Sequence, residues 1–151
     1  MSPIQIQQLP TWQETAKLMR DHRDESITAV QPTLSDVPSQ LPLNITSLPK
    51  QLLTNREIEI TETSPEDLLS ALGSGTLSST EVTSAFLRRA GLAQKLVNCI
   101  TELLGPEALE RASYLDGYLK ERGKPIGPLH GLPISVKEHI AFKGKDINCG
   151  F

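Results

Sequence analysis

Cysteine is scarce in this chain: two thiols, Cys99 and Cys149, stand among 151 residues. With neither a CxxC pair nor a second cluster, they can build no zinc site and no disulfide framework. The burial habit of free cysteine makes both expected to be small buried or half-buried thiols. A basic surplus is missing too. Fifteen Lys plus Arg face eighteen Asp plus Glu, a net charge of −3, whereas neutralising phosphates along a nucleic acid demands the opposite balance; no nucleic-acid partner is expected. No run approaches the ~18 to 20 apolar residues that cross a bilayer. Met1 to Pro10 lacks the basic-then-apolar order of a signal peptide. The expectation is a soluble, cytoplasmic protein with no membrane partner. In that setting the Asn44-Ile45-Thr46 glycosylation acceptor has no compartment in which to act.

What is present has room for one domain at ~100 to 200 residues each, and 38% hydrophobic residues make it globular but thinly so. Residues 1–30 hold an N-terminal helix. Thr11 and Glu14 have the S/T-x-x-E spacing of a capping box, and Trp12, Ala16 and Met19 fall on one face. Residues 31–60 form a proline-rich arm, in which Pro32, Pro38, Pro42 and Pro49 remove amide donors and bias their predecessors toward extended backbone. A wrap-around arm and a disordered tail both fit a segment with so few aromatics.

Residues 61–151 carry the densest signals. Ser64-Pro65-Glu66-Asp67 supplies an N-cap hydroxyl, proline at the first helical position and first-turn acids, and Gly73 and Gly75 tolerate the turn that follows. Ser78 and Glu81 spell a second capping box, opening a longer helix toward Leu96 and completing a helical hairpin. Asn98 to Leu104 fits a buried strand or a helix end, with strand preferred. Pro106 opens a third helix with Ala108, Ala112, Leu115 and Leu119 on one face and Gly123 just past its end. Pro125, Gly127, Pro128, Gly131 and Pro133 then crowd a turn-rich entry to Ile134-Ser135-Val136-Lys137, which alternates at period two as a strand does. Helices followed by strands read as the beginning of a larger α/β layer structure, since one or two strands make no stable sheet alone.

Lys137 is the residue with chemical promise. A lysine is a poor base at its ordinary pKa of ~10.4, but desolvation favours the neutral amine, which can accept a proton near neutral pH. By pattern alone, a lysine at a strand end facing solvent is the better reading. Ser135, two residues earlier on the same strand face, suggests a local dyad, but side chains at i and i+2 start ~6.5 to 7 Å apart. Satisfying nearby backbone is the better role for it. His130 and His139 bracket Lys137 without the partners of a metal or catalytic site, and His130 in its glycine-proline turn reads as a structural donor.

The run Gly127-Pro128-Leu129-His130-Gly131-Leu132-Pro133-Ile134-Ser135-Val136-Lys137-Glu138-His139-Ile140 closely resembles the lysine segment of amidase signature enzymes, the fungal acetamidase-like members nearest. Val97-Asn98-Cys99-Ile100-Thr101-Glu102 and the helix from Ala108 to Gly123 are similar to what precedes that lysine, so the resemblance spans Ser64 to Phe151. The Trp12 helix also resembles the start of fungal members. Glu138 stands where many relatives carry Asp.

The resemblance implies an α/β fold, of which this chain holds the N-terminal part: a helical layer and the first strands of a mixed central sheet. It implies a Ser, cis-Ser, Lys arrangement acting on a small-molecule carboxylic amide and releasing acid and ammonia. Lys137 would be the catalytic lysine, buried and neutral, and no metal or organic cofactor is needed. The nucleophile, bridging serine and oxyanion donors belong to a downstream Gly/Ser-rich stretch not in this sequence, so no activity is expected from these residues alone. Family dimers leave a homodimer open. The chain halts after a loop at Gly150-Phe151 without a polar fraying tail, which reads as truncation. Two other readings stand beside this one: a non-catalytic truncated relative acting as a binding or regulatory module, and a small self-sufficient helical module with an exposed Lys137.

Overall fold

A computed structural model describes residues 10–145 and places six helices in this order: α1 Trp12–Thr28, α2 Pro49–Leu52, α3 Asn55–Glu62, α4 Pro65–Ser74, α5 Ser79–Val97 and α6 Gly105–Arg122. Local chemistry sets most of their ends. At α1 the Thr11 hydroxyl accepts the Glu14 amide while Glu14 reaches back to the Thr11 amide at 2.7 Å. This hydrogen bond holds the Glu14 carboxyl below its ordinary range. Ser64 caps α4 with Pro65 in its first turn, and Gly75 closes it in the left-handed conformation at φ +75°. Gly123 ends α6 the same way.

The arm holds more helix than its prolines suggest. Thr54 and Glu57 form a full capping box that opens α3, and Pro49 starts the single turn of α2. At the head of the arm, Val30 and Leu34 are buried beside Ile27 and Leu103, so this stretch lies against the helices. Leu43, by contrast, is fully exposed.

Helix α5 is the spine. On one side Ile60 of α3, Leu68 and Leu72 of α4, and Leu77 close over Val82 and Ala85. On another, Ile27, Val30, Leu34 and Leu103 gather against Leu87 and Ala90. Leu68 and Leu72 are each 1% exposed, and full burial of such a side chain contributes roughly 1.5–3 kcal/mol. Gly91 lets Leu34 approach, since an added Cβ would stand 2.6 Å from its Cδ1.

The start of α5 corrects the expected capping box. Ser78 does accept the Glu81 amide at 3.0 Å, but the Glu81 carboxylate is taken by Arg56 at 2.8 Å instead of returning to the cap. The remaining free amides are satisfied from another helix. Asp116 of α6 accepts the Ser79 amide at 2.6 Å, the Thr80 amide at 3.0 Å and the Thr80 hydroxyl at 2.6 Å. A carboxylate at a helix N-terminus also meets the favourable end of the dipole. Burial alone would raise the Asp116 carboxyl, but the bonds from Thr80 and Ser79 outweigh it and hold the group below its ordinary range.

A carboxyl lowered by folding stabilises the protein above its unfolded pKa, and that contribution is lost as pH falls through the folded value. Asp116→Ala should therefore cost about 2 kcal/mol near neutrality, in keeping with charge-assisted hydrogen bonds. The gap from wild type should shrink below about pH 4. Urea unfolding at several pH values checks this; a gap independent of pH would count against it.

Both expected strands need correction. Among the described residues no strand occurs. Residues 98–104 run without a ladder partner, because side chains take that role: Gln94 Oε1 accepts the Ile100 amide at 2.6 Å and Ser26 Oγ the Leu103 amide at 3.1 Å. Residues 134–137 have no neighbouring strand to pair with among the described residues, and pairing is what makes a strand. Trp12 is 75% exposed, so the expected apolar face of α1 is only half covered, at Ala16 and Met19. Cys99 is exposed where burial was expected, and Cys149 lies outside the described residues. No helix among the described residues is long and apolar enough to cross a membrane.

Candidate active site

The segment bearing Lys137 leaves the helical body from a tightly seated turn. After Gly123, Pro125 settles over Gly73 of α4, where an added Cβ would lie 3.5 Å from its ring. The His130 amide donates to Gly127 O and the Leu132 amide to Leu129 O, each at 3.2 Å. The buried His130 ring accepts the Ile126 amide through Nδ1 at 3.3 Å. Leu132 then packs on the cluster around Leu72 and Val82.

Gly131 has two reasons to be glycine. Its φ is +76°, and a Cβ there would stand 2.4 Å from Ser79 Oγ and 2.9 Å from Leu72 Cδ2. Gly131→Ala should cost about 2–3 kcal/mol, the left-handed backbone supplying ~1–2 and overpacking the rest. Its midpoint in urea should drop accordingly; an unchanged midpoint would show that the turn is not seated this way.

Beyond Pro133 the chain turns outward. Lys137 is exposed, not buried as the resemblance implies, and its neighbours Ile134 and Val136 are 75% and 49% exposed. The Lys137 carbonyl accepts the Ile140 amide at 2.9 Å, turning the backbone just after the lysine. Ser135 is exposed as well, and no hydrogen bond joins it to Lys137. His139 is exposed while His130 is buried, so the two histidines do not converge. Among the described residues no three His, Cys, Asp or Glu side chains group as a metal site.

Beside this segment a cleft of about 510 Å³ opens between α1, residues 98–102 and the loop after Lys137, with Arg20, Arg23, Cys99 and Glu138 on its walls. An ion-pair network closes one end. Lys145 reaches Glu102 at 2.9 Å and Glu107 at 2.8 Å, and His22 Nε2 lies 3.1 Å from Glu102. The bonds to Glu107 and Glu102 raise the Lys145 ammonium, and Lys145 in turn lowers Glu107. Neither this clamp nor Asp116 has a local sequence signal, because each partner is distant along the chain.

Comparison with known proteins adds to this geometry. Residues 81–151 match the family model described as Amidase. A putative amidase of Schizosaccharomyces pombe is 41% identical over 144 residues, covering 93% of this chain and 27% of its own length. The acetamidase of Emericella nidulans is 44% identical over 110 residues, covering 72% of this chain and 20% of its own. Among solved structures, fatty acid amide hydrolase superposes with a TM-score of 0.68 at 36% identity over 84% of this chain and 23% of that one. The chain thus spans about a fifth to a quarter of the length of these relatives.

Proposed function

We infer, from the premise that residues 81–151 are amidase-family sequence, that this chain is the lysine-bearing part of an enzyme hydrolysing carboxylic amides to acid and ammonia. Lys137 is the general base in this reading. A serine hydroxyl from outside the present sequence attacks the amide carbonyl, and its proton passes through a bridging serine to the Lys137 amine. The same relay returns a proton to the departing ammonia. Backbone amides from the missing stretch hold the oxyanion, where one lost donor costs ~2.7–4 kcal/mol. This chain by itself is therefore inactive.

The observation that carries the reading is the state of the segment around Lys137. It leaves an anchored turn with Ile134, Val136, Ile140 and Phe142 all about half exposed or more. Apolar side chains alternating around one lysine favour a strand that the rest of an amidase covers, as part of a mixed sheet. Covering both faces of that strand, the lysine face included, strips water from the amine and favours its neutral, proton-accepting form. A small aliphatic or aryl amide is the substrate class, and cytoplasmic location and homodimer pairing belong to the same reading.

The test is amide hydrolysis by the longer protein and by its Lys137→Ala variant. Hydrolysis in the first and its loss in the second is expected. Hydrolysis by the purified 151-residue chain that vanished with Lys137→Ala would overturn the division of labour. A second reading, a non-catalytic binding module, draws support from the exposure of Lys137 and predicts that no longer form of the protein hydrolyses amides.

A further inference from the structure

The segment 126–132 sets where Lys137 emerges. Leu132 is the last apolar side chain before the lysine that packs on the helical core. From there five residues of chain span at most ~17 Å when fully extended, so a tilt of about 5° at the turn displaces Lys137 by up to roughly 1.5 Å, and misplacement of ~1 Å can cost 10²-fold in rate.

His130 occupies the centre of this turn at 4% exposure. Its Nδ1 accepts the Ile126 amide, so the neutral ring carries its proton on Nε2. That Nε2 has no partner among the described residues, and a buried donor left unpaired costs about 1–3 kcal/mol. An apolar side chain would fill the same space more cheaply. What histidine supplies that leucine cannot is the acceptor that ties residue 126 to residue 130.

We propose that His130 is a positioning residue for Lys137, locking through Nδ1 the turn from which the lysine-bearing segment departs. The proposal rests on the amide-hydrolysis reading above. His130 touches neither substrate nor the reacting atoms; it acts through the geometry of the turn.

The experiment compares steady-state hydrolysis of acetamide by the full-length protein and its His130→Leu, His130→Asn and Lys137→Ala variants. His130→Leu should lower kcat by about 10- to 100-fold with KM within about twofold. His130→Asn, whose Oδ1 replaces the Nδ1 acceptor, should recover most of kcat. Retained activity in Lys137→Ala sinks the amide-hydrolysis reading and this proposal with it. If Lys137→Ala is inactive while His130→Leu keeps wild-type kcat, or His130→Asn does no better than His130→Leu, only the positioning role falls. Should His130→Leu fail to fold, the ¹⁵N NMR tautomer of His130 in the wild-type protein decides: Nε2–H supports the lock, and Nδ1–H overturns it.

Discussion

On the proposed amide-hydrolysis reading, Lys137→Ala in the longer protein should lower kcat by about 10²- to 10⁴-fold, the usual contribution of a positioned general base. The serine hydroxyl would then have no acceptor for its proton as the carbonyl is attacked. KM should move much less, because the role assigned to Lys137 begins only when the hydroxyl starts to ionise. Lys137→Arg separates a base from a mere positive charge. Arginine keeps the charge but does not deprotonate in proteins, so it should fail nearly as completely as alanine. An arginine variant with near-normal kcat would show that charge, not proton acceptance, is what this position supplies. Circular dichroism of both variants of the 151-residue chain should match wild type, since Lys137 is exposed there and makes no hydrogen bond through its side chain among the described residues.

Most of the helical framework is legible because helix ends are written in neighbouring residues. Ser64 with Pro65, and Gly75 and Gly123 just past their helices, act within one turn of where they stand. Helix α3 carries the same kind of mark in Thr54 and Glu57, but four nearby prolines draw attention toward an extended arm. Strands are another matter. Residues 134–137 have the alternation of a strand, yet a strand exists only with a partner, and alternation is silent about where that partner lies. The amidase resemblance of the Lys137 segment is legible from residue identity, whereas the environment of the lysine is not. Asp116 is invisible for a related reason: it caps α5 from 36 and 37 residues away.

The same reasoning applies most strongly to Arg88, buried in the middle of α5. Its Nε donates to Glu57 Oε1, and its Nη1 donates to the carbonyls of Pro32 and Thr33, the latter at 3.2 Å. The Arg88 and Glu57 side chains are only 8% and 14% exposed. Burial by itself raises the Glu57 carboxyl, but bonds from the Thr54 amide and hydroxyl, together with the Arg88 charge, bring it below its ordinary range. One guanidinium thus joins three elements: the head of the arm, α3 and α5. Arg88→Met should destabilise the chain by about 3–5 kcal/mol, because it strands a buried carboxylate and leaves two carbonyls without their donor. Arg88→Lys should recover part of the loss, since an ammonium restores the charge but not the planar fork. Adding Glu57→Met to Arg88→Met removes the stranded charge, so the double variant should be less destabilised than the two single losses summed, with a coupling above ~1 kcal/mol. Urea unfolding of the four proteins measures this cycle. A loss below about 1 kcal/mol for Arg88→Met would place the pair in the class of surface salt bridges and contradict its burial. Limited proteolysis supplies the local readout: the arm after Leu34 should be cut faster in Arg88→Met than in wild type, because the guanidinium that holds Pro32 and Thr33 against α5 is gone.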